Sequence, residues 1–199
     1  MIDTIIFDFG GVLVDWNPRY VYRDYFQDDE KMEWFLANIC TDEWNIEQDR
    51  GRSLAEATEL LVAQHPDWEK EIRMYYGQWE TMMKDAIHET VDILFELKKK
   101  YKMYGLTNWS AETFPIALDR FEFFQVFDGI LVSGKERLIK PDEKIFERMM
   151  EKFNLKPENC LFIDDNLKNV EASRQFGIET IHFINPEDLK AKLDEFGML

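Results

Sequence analysis

Cysteine is nearly missing from this chain. Two residues, Cys40 and Cys160, stand far apart among 199, which excludes a disulfide framework and any recognisable zinc spacing. Cys160 opens an apolar run and reads as a core thiol. The three histidines, His65, His88 and His182, show no metal-ligand spacing either. Positive charge is scarce: 24 Lys and Arg face 40 Asp and Glu, a net charge of −16. That balance argues against nucleic acid and anionic membranes as partners, since both require positive surface. No apolar run is long enough to cross a bilayer, and no basic stretch precedes the N-terminal apolar run as in a secretion signal. A reducing cytoplasm is therefore the expected compartment. Internal repeats and low-complexity segments are absent too, and nothing in the pattern bears on oligomeric state.

What is present begins at the N-terminus. Ile5, Ile6 and Phe7 lead into Asp8, then Phe9, Gly10 and Gly11. A short apolar run of this kind predicts a strand buried on both faces. A carboxylate at its C-terminal end lies where open α/β sheets bind ligands. The glycines allow a tight turn and bring backbone close to a ligand, which makes Gly11 a candidate contact. Four later segments resemble this strand: Met103 to Thr107, Phe127 to Ser133, Leu161 to Ile163, and Thr180 to Ile184. Between them run helical patterns. Val91, Leu94, Leu97 and Tyr101 recur at helical spacing, as do Ile145, Phe146, Met149, Met150 and Phe153. Asn185 as N-cap, Pro186 in the first turn and Gly197 beyond the end frame a closing helix. Strands alternating with helices predict an α/β fold, a parallel sheet with crossover helices.

Residues 16 to 87 break the alternation and hold no convincing strand. Ser53 and Glu56 form a capping box, and Trp34, Phe35, Trp44, Trp68, Tyr75, Tyr76 and Trp79 make the stretch aromatic-rich. The expected division is a core of residues 1–15 and 88–199 with a helical insertion, 16–87, over the C-terminal edge of the sheet. Its aromatics read as core before they read as a substrate platform.

Asp8, Thr107 with Asn108, Lys140, and Asp164 with Asp165 all fall at strand ends or in the loops after them. Taken singly each has an ordinary explanation: Lys140 a solvated loop lysine, Asp164 and Asp165 helix caps, Thr107 a local backbone bond. Together they fit phosphoryl transfer. A carboxylate that attacks phosphorus needs a cation between the two negative groups. Asp8 and one of the acidic pair offer hard oxygen ligands to Mg²⁺. Thr107 offers a hydroxyl to a phosphoryl oxygen, backbone near Asn108 offers N–H donors, and Lys140 offers positive charge.

The segments DFGGVLVDW at Asp8, LTN ending at Asn108, IKP around Lys140 and FIDDNLKNVEAS around Asp164 resemble the haloacid dehalogenase-like hydrolase superfamily over the whole chain. The closer resemblance is to the subgroup with bacterial α-D-glucose-1-phosphate phosphatase and the N-terminal domain of soluble epoxide hydrolase. The resemblance implies a Rossmann-like three-layer core with a helical cap after the first strand. It implies Asp8 as nucleophile, with Thr107 and Lys140 as phosphate binders. Mg²⁺ would be held by Asp8, the Gly10 carbonyl and the acidic pair, with Asp165 the more usual direct ligand, Asp164 close by, and Asn169 orienting the loop. The implied substrate is a small phosphorylated metabolite, a sugar phosphate such as glucose 1-phosphate.

One residue departs from the pattern. Most such phosphatases carry a second acid two residues after the nucleophile, and here that position is Gly10. General acid–base catalysis contributes about 10²–10⁴-fold, so its loss is serious but smaller than the whole acceleration. A sugar 1-phosphate, whose anomeric oxygen leaves more readily, would reduce the need. A substitute such as Asp15 or an acid from the insertion would replace it. Two competing readings are a metal-free 2-haloacid dehalogenase and a HAD-like binding protein without turnover. The Asp164–Asp165 pair argues against the first, and the retained Asp8 and Lys140 against the second.

Overall fold

Successive side chains of the first strand point to opposite sides and are buried on both. In a computed structural model describing residues 1–199, Ile5 and Phe7 join one apolar cluster while Ile6 joins another. Leu161 and Ile163 divide from Phe162 in the same way. A sheet that is apolar on both faces must be covered on both, and this one is.

The chain runs β1 (Thr4–Phe7) and β2 (Val14–Trp16), then α1 (Arg19–Phe26), α2 (Asp29–Asn38), α3 (Asp42–Asp49), α4 (Leu54–Gln64), α5 (Glu69–Gly77) and α6 (Trp79–Met82). β3 (Met83–Ala86), α7 (His88–Lys98), β4 (Lys102–Thr107), α8 (Phe114–Arg120), β5 (Gly129–Val132) and α9 (Ser133–Glu136) follow. The chain closes with α10 (Glu143–Phe153), β6 (Cys160–Asp164), α11 (Leu167–Phe176), β7 (Glu179–His182) and α12 (Pro186–Glu195). Five parallel strands form one sheet in the order β5-β4-β1-β6-β7. Ile145, Phe146, Met149 and Met150 of α10 cover the face of Ile6 and Phe162. Val91, Leu94 and Leu97 of α7, with Leu189 and Leu193 of α12, cover the other. The chain builds outward from β1 to β4 and β5, then crosses to β6, so strand order reverses beside β1 and leaves a crevice at its C-terminal end.

All five strands of the sheet lie where the apolar runs predict them, with ends displaced by a residue or two. The closing helix is capped as expected, the Asn185 side chain accepting from the Asp188 amide at 2.8 Å. The Ser53 hydroxyl likewise accepts from the Glu56 amide at 3.2 Å. One expectation is corrected: residues 16–87 do contain a strand. β3 pairs antiparallel with β2, Val14 opposite Ala86, in a separate two-stranded ribbon. The sequence of β3, Met-Lys-Asp-Ala, has no apolar alternation because Lys84 and Asp85 face solvent. It becomes a strand because the two ends of the helical segment meet there, with the Asn17 amide donating to Met82 and the Ile87 amide to Leu13. The aromatics between the ribbon strands pack mainly on one another, Tyr22 on Phe35 at 5.0 Å and Phe35 on Trp68 at 5.3 Å.

Candidate active site

β1 ends at the centre of the sheet and delivers Asp8 into the crevice. The Asp8 amide completes the ladder to the Ile163 carbonyl at 2.9 Å, and the Phe9 amide donates to Asp8 Oδ1 at 2.7 Å. Lys140 enters from the loop after α9, 1 % exposed. Its Nζ lies 3.0 Å from Asp8 Oδ1 and 2.7 Å from Asp164 Oδ2, and donates to the Leu106 carbonyl at 3.0 Å. An ammonium has three N–H donors, and each has a partner here. Lys140 is thus a fixed positive charge between two carboxylates.

The Asn108 carboxamide closes on the backbone of Lys140 from both sides. Its Nδ2 donates to the Lys140 carbonyl at 3.0 Å and its Oδ1 accepts from the Lys140 amide at 2.9 Å. Backbone N–H donors near Asn108 are the expected phosphate contacts; its side chain is engaged on Lys140. Thr107 sits one residue earlier at the end of β4, 1 % exposed, on the same sheet edge as Asp8.

β6 delivers the acidic pair, and the two members differ. Asp164 is wholly buried. Besides Lys140 it accepts from Asn169 Nδ2, 3.1 Å from each oxygen, and from the Asn166 amide at 2.8 Å. Asp165 is exposed, and what holds it is its backbone, whose carbonyl lies 3.0 Å from His182 Nε2. His182 has no role in the sequence reading. It stands opposite Asp164 in the β6–β7 register, a pairing that no local pattern announces. One carboxylate oxygen from each of Asp8, Asp164 and Asp165 lies within 4.8 Å of the others.

Gly11 has φ +76°, and a Cβ built on it would lie 2.4 Å from Asp165 Oδ2, so a larger residue is strained there and must displace the Asp165 carboxylate. Gly10 has no such constraint: a Cβ there meets nothing within 4 Å. Asp15 and Arg19 do not meet. Asp15 accepts from the Tyr20 hydroxyl at 2.8 Å, and Arg19 pairs with Glu33 at 2.5 Å.

The electrostatics are unbalanced. Burial pushes Asp8 up to about 8, against the pull of Lys140 and with the repulsion of Asp164 and Asp165 behind it. Partial withdrawal from water, and then Asp164, also raise Asp165. Burial works against the charge on Lys140, but Asp164 and Asp8 outweigh it and hold its pKa above the usual lysine value. Three clustered carboxylates face one ammonium. A hard divalent cation, which takes carboxylate and carbonyl oxygens, fits this surplus of negative charge.

A cavity of about 70 Å³ adjoins the crevice, lined by Gly10, Trp16, Asn45, Asp49, Trp79, Asn108 and Trp109. Asn45 and Asp49 come from α3, and the other walls from the β1–β2 turn, β2, α6 and the end of β4. A larger groove of about 670 Å³ lies between α7 and α12 and includes none of the converging carboxylates.

A family model described as haloacid dehalogenase-like hydrolase matches residues 5–183. The chain belongs to this family. Among haloacid dehalogenase-like relatives, it is 28 % identical over 179 residues to a sesquiterpene phosphatase of Aspergillus oryzae, covering 89 % of this chain and 87 % of that protein. It is 22 % identical over 205 residues to the D-ribitol-5-phosphate phosphatase of Bacteroides thetaiotaomicron, covering 97 % of each. A solved family member from that bacterium, in complex with magnesium and inorganic phosphate, shares the fold at a TM-score of 0.72 and 21 % identity, over 93 % of this chain and 96 % of the other.

Proposed function

We propose that this haloacid dehalogenase-like hydrolase is a magnesium-dependent phosphatase of small phosphorylated metabolites, working through an aspartyl phosphate on Asp8. The observation that carries the reading is the buried Asp8–Lys140–Asp164 array beside Asp165, whose carboxylate is left accessible. Asp8, Asp165 and the Gly10 carbonyl would hold the ion, with Asp164 orienting Lys140 and the loop. When bound, the cation screens the repulsion between carboxylate and phosphate. One Asp8 oxygen attacks phosphorus and the substrate oxygen leaves; water then attacks the same phosphorus and frees Asp8. Lys140 supplies fixed positive charge during both steps. The Thr107 hydroxyl donates to phosphoryl oxygens; the Gly11 amide, a candidate phosphate contact from the sequence, is instead spent on the Val14 carbonyl at 2.9 Å. Helices α1–α6 act as a cap that sets specificity.

Sugar and polyol phosphates are the substrate class we favour, glucose 1-phosphate among them. Trp16 and Trp79 line the cavity, and their Nε1–H groups are buried with no acceptor in the protein. One relative named above, the D-ribitol-5-phosphate phosphatase, supports the class.

The test is a screen of sugar and polyol phosphates with and without Mg²⁺, with Asp8→Asn as control. Phosphate release is expected to need Mg²⁺ and to fall at least about 10³-fold in Asp8→Asn. Phosphate release that persists in Asp8→Asn refutes the nucleophile. Chloride release from chloroacetate, without phosphate release from any ester, makes the protein a dehalogenase instead.

A further inference from the structure

Position 10 leaves this site without its own proton donor. We propose that Asp49, carried into the cavity by the last turn of α3, is the general acid and base of the reaction. The proposal rests on the phosphatase reading and adds the group that moves protons.

Geometry supports it first. Asp49 shares the cavity wall with Gly10 and Asn108, next-but-one and next neighbours of Asp8 and Thr107. A Cβ at position 10 would meet nothing within 4 Å, and Gly10 and Asp49 line the same cavity. Asp49 is also held in place. The Ser133 hydroxyl, at the end of β5, donates to the Asp49 carbonyl at 2.6 Å and accepts from the Trp109 amide at 2.9 Å. One hydroxyl thereby ties α3 to two loops of the sheet edge.

Asp49 is 8 % exposed, its carboxyl with Asn45 Nδ2 at 3.5 Å and no cation beside it. Tyr75 and Tyr76 are the titratable groups facing it from α5. Burial raises its pKa to about 7, opposed by the Ser110 backbone. A carboxyl that holds its proton near neutral pH gives it up and takes it back with little cost, as a general acid must. Asp15, the other candidate, is occupied by Tyr20.

The steps balance. Asp8 attacks phosphorus, the ester P–O bond breaks, and the departing oxygen takes the Asp49 proton. The Asp49 carboxylate then takes a proton from water as its oxygen attacks the aspartyl phosphate. The P–O bond to Asp8 breaks, phosphate leaves, and Asp49 is again protonated.

The experiment compares wild type with Asp49→Asn on two esters. Turnover of glucose 6-phosphate, whose leaving group is an ordinary alcohol, is expected to fall about 10²–10⁴-fold. p-Nitrophenyl phosphate needs no acid, so rapid mixing of Asp49→Asn should still give a burst of about one p-nitrophenolate per site, followed by slow turnover. Unchanged turnover of glucose 6-phosphate overturns the proposal, and so does a burst lost in proportion to turnover, which a structural role would give. Should the variant not fold, the wild type decides. A nearly flat dependence of kcat/KM on leaving-group acidity across aryl and alkyl phosphates is expected, and a fall of tenfold or more per unit overturns it. A wild type with no activity on any phosphate ester fails the phosphatase reading and takes this proposal with it.

Discussion

Gly10 and Gly11 stand side by side and are glycines for different reasons. Gly11 is held at φ +76° against the Asp165 carboxylate, where a side chain strains the backbone and pushes that carboxylate aside. Gly10 lies outside the left-handed region and faces open space. Gly11→Ala should therefore lose about 1–2 kcal/mol from its backbone alone and weaken Mg²⁺ binding by displacing Asp165. Gly10→Ala should be neutral or gain up to about 1 kcal/mol, by restricting the unfolded chain. Urea unfolding with and without Mg²⁺ measures both, and equal destabilisation by the two substitutions would defeat the distinction. The same contrast explains how position 10 can lack an acid without structural need: no contact requires glycine there, so its proton chemistry is free to reside elsewhere.

Elements reach this site through polar clamps between loops. β4 and the loop after α9 are joined where the Asn108 side chain reads both the amide and the carbonyl of Lys140. Truncating it leaves two buried backbone groups unpaired at about 1–3 kcal/mol each before relaxation. Asn108→Ala should lower stability by that order and cut kcat about 10–100-fold, because Lys140 loses its fixed approach to Asp8. KM should move much less. A variant with raised KM and normal kcat would return Asn108 to the phosphate-binding role that its position after Thr107 suggests. Strand ends explain why the acids and the lysine converge, and clamps of this kind explain how closely they are held.

At the scale of the molecule, the sheet and the helical segment share one apolar interior. A cluster of 38 buried residues runs from Ile5, Leu94 and Leu193 through Val14 to Phe35, Ile72 and Tyr75. The chain should therefore unfold in a single cooperative step. Five of the six tryptophans, Trp16, Trp34, Trp44, Trp68 and Trp79, lie in or beside the helical segment, and Trp109 alone lies beyond it. Tryptophan fluorescence thus reports chiefly on the segment, and far-UV circular dichroism on the whole chain. Their urea midpoints should coincide; separate midpoints would show that the segment unfolds alone.

Much of this was written locally. Apolar runs ending in Asp8, Thr107 and Asp164 specify parallel strands, and parallel strands put their C-terminal ends on one edge. That is why the sequence by itself determined the layered α/β core and the convergence of Asp8, Lys140, Asp164 and Asp165. It did not determine β3, whose four residues become a strand only when β2 comes alongside. Nor did it distinguish a saturated Asp164 from an accessible Asp165, or turn Asn108 toward Lys140, or bring His182 to the Asp165 carbonyl and Asp49 to the space beside Gly10. Those arrangements join residues up to 84 positions apart, as Ser133 is to Asp49. Hydrophobic periodicity is a property of neighbours in the chain, whereas a buried hydrogen bond depends on which distant group arrives opposite, and only the folded structure decides that.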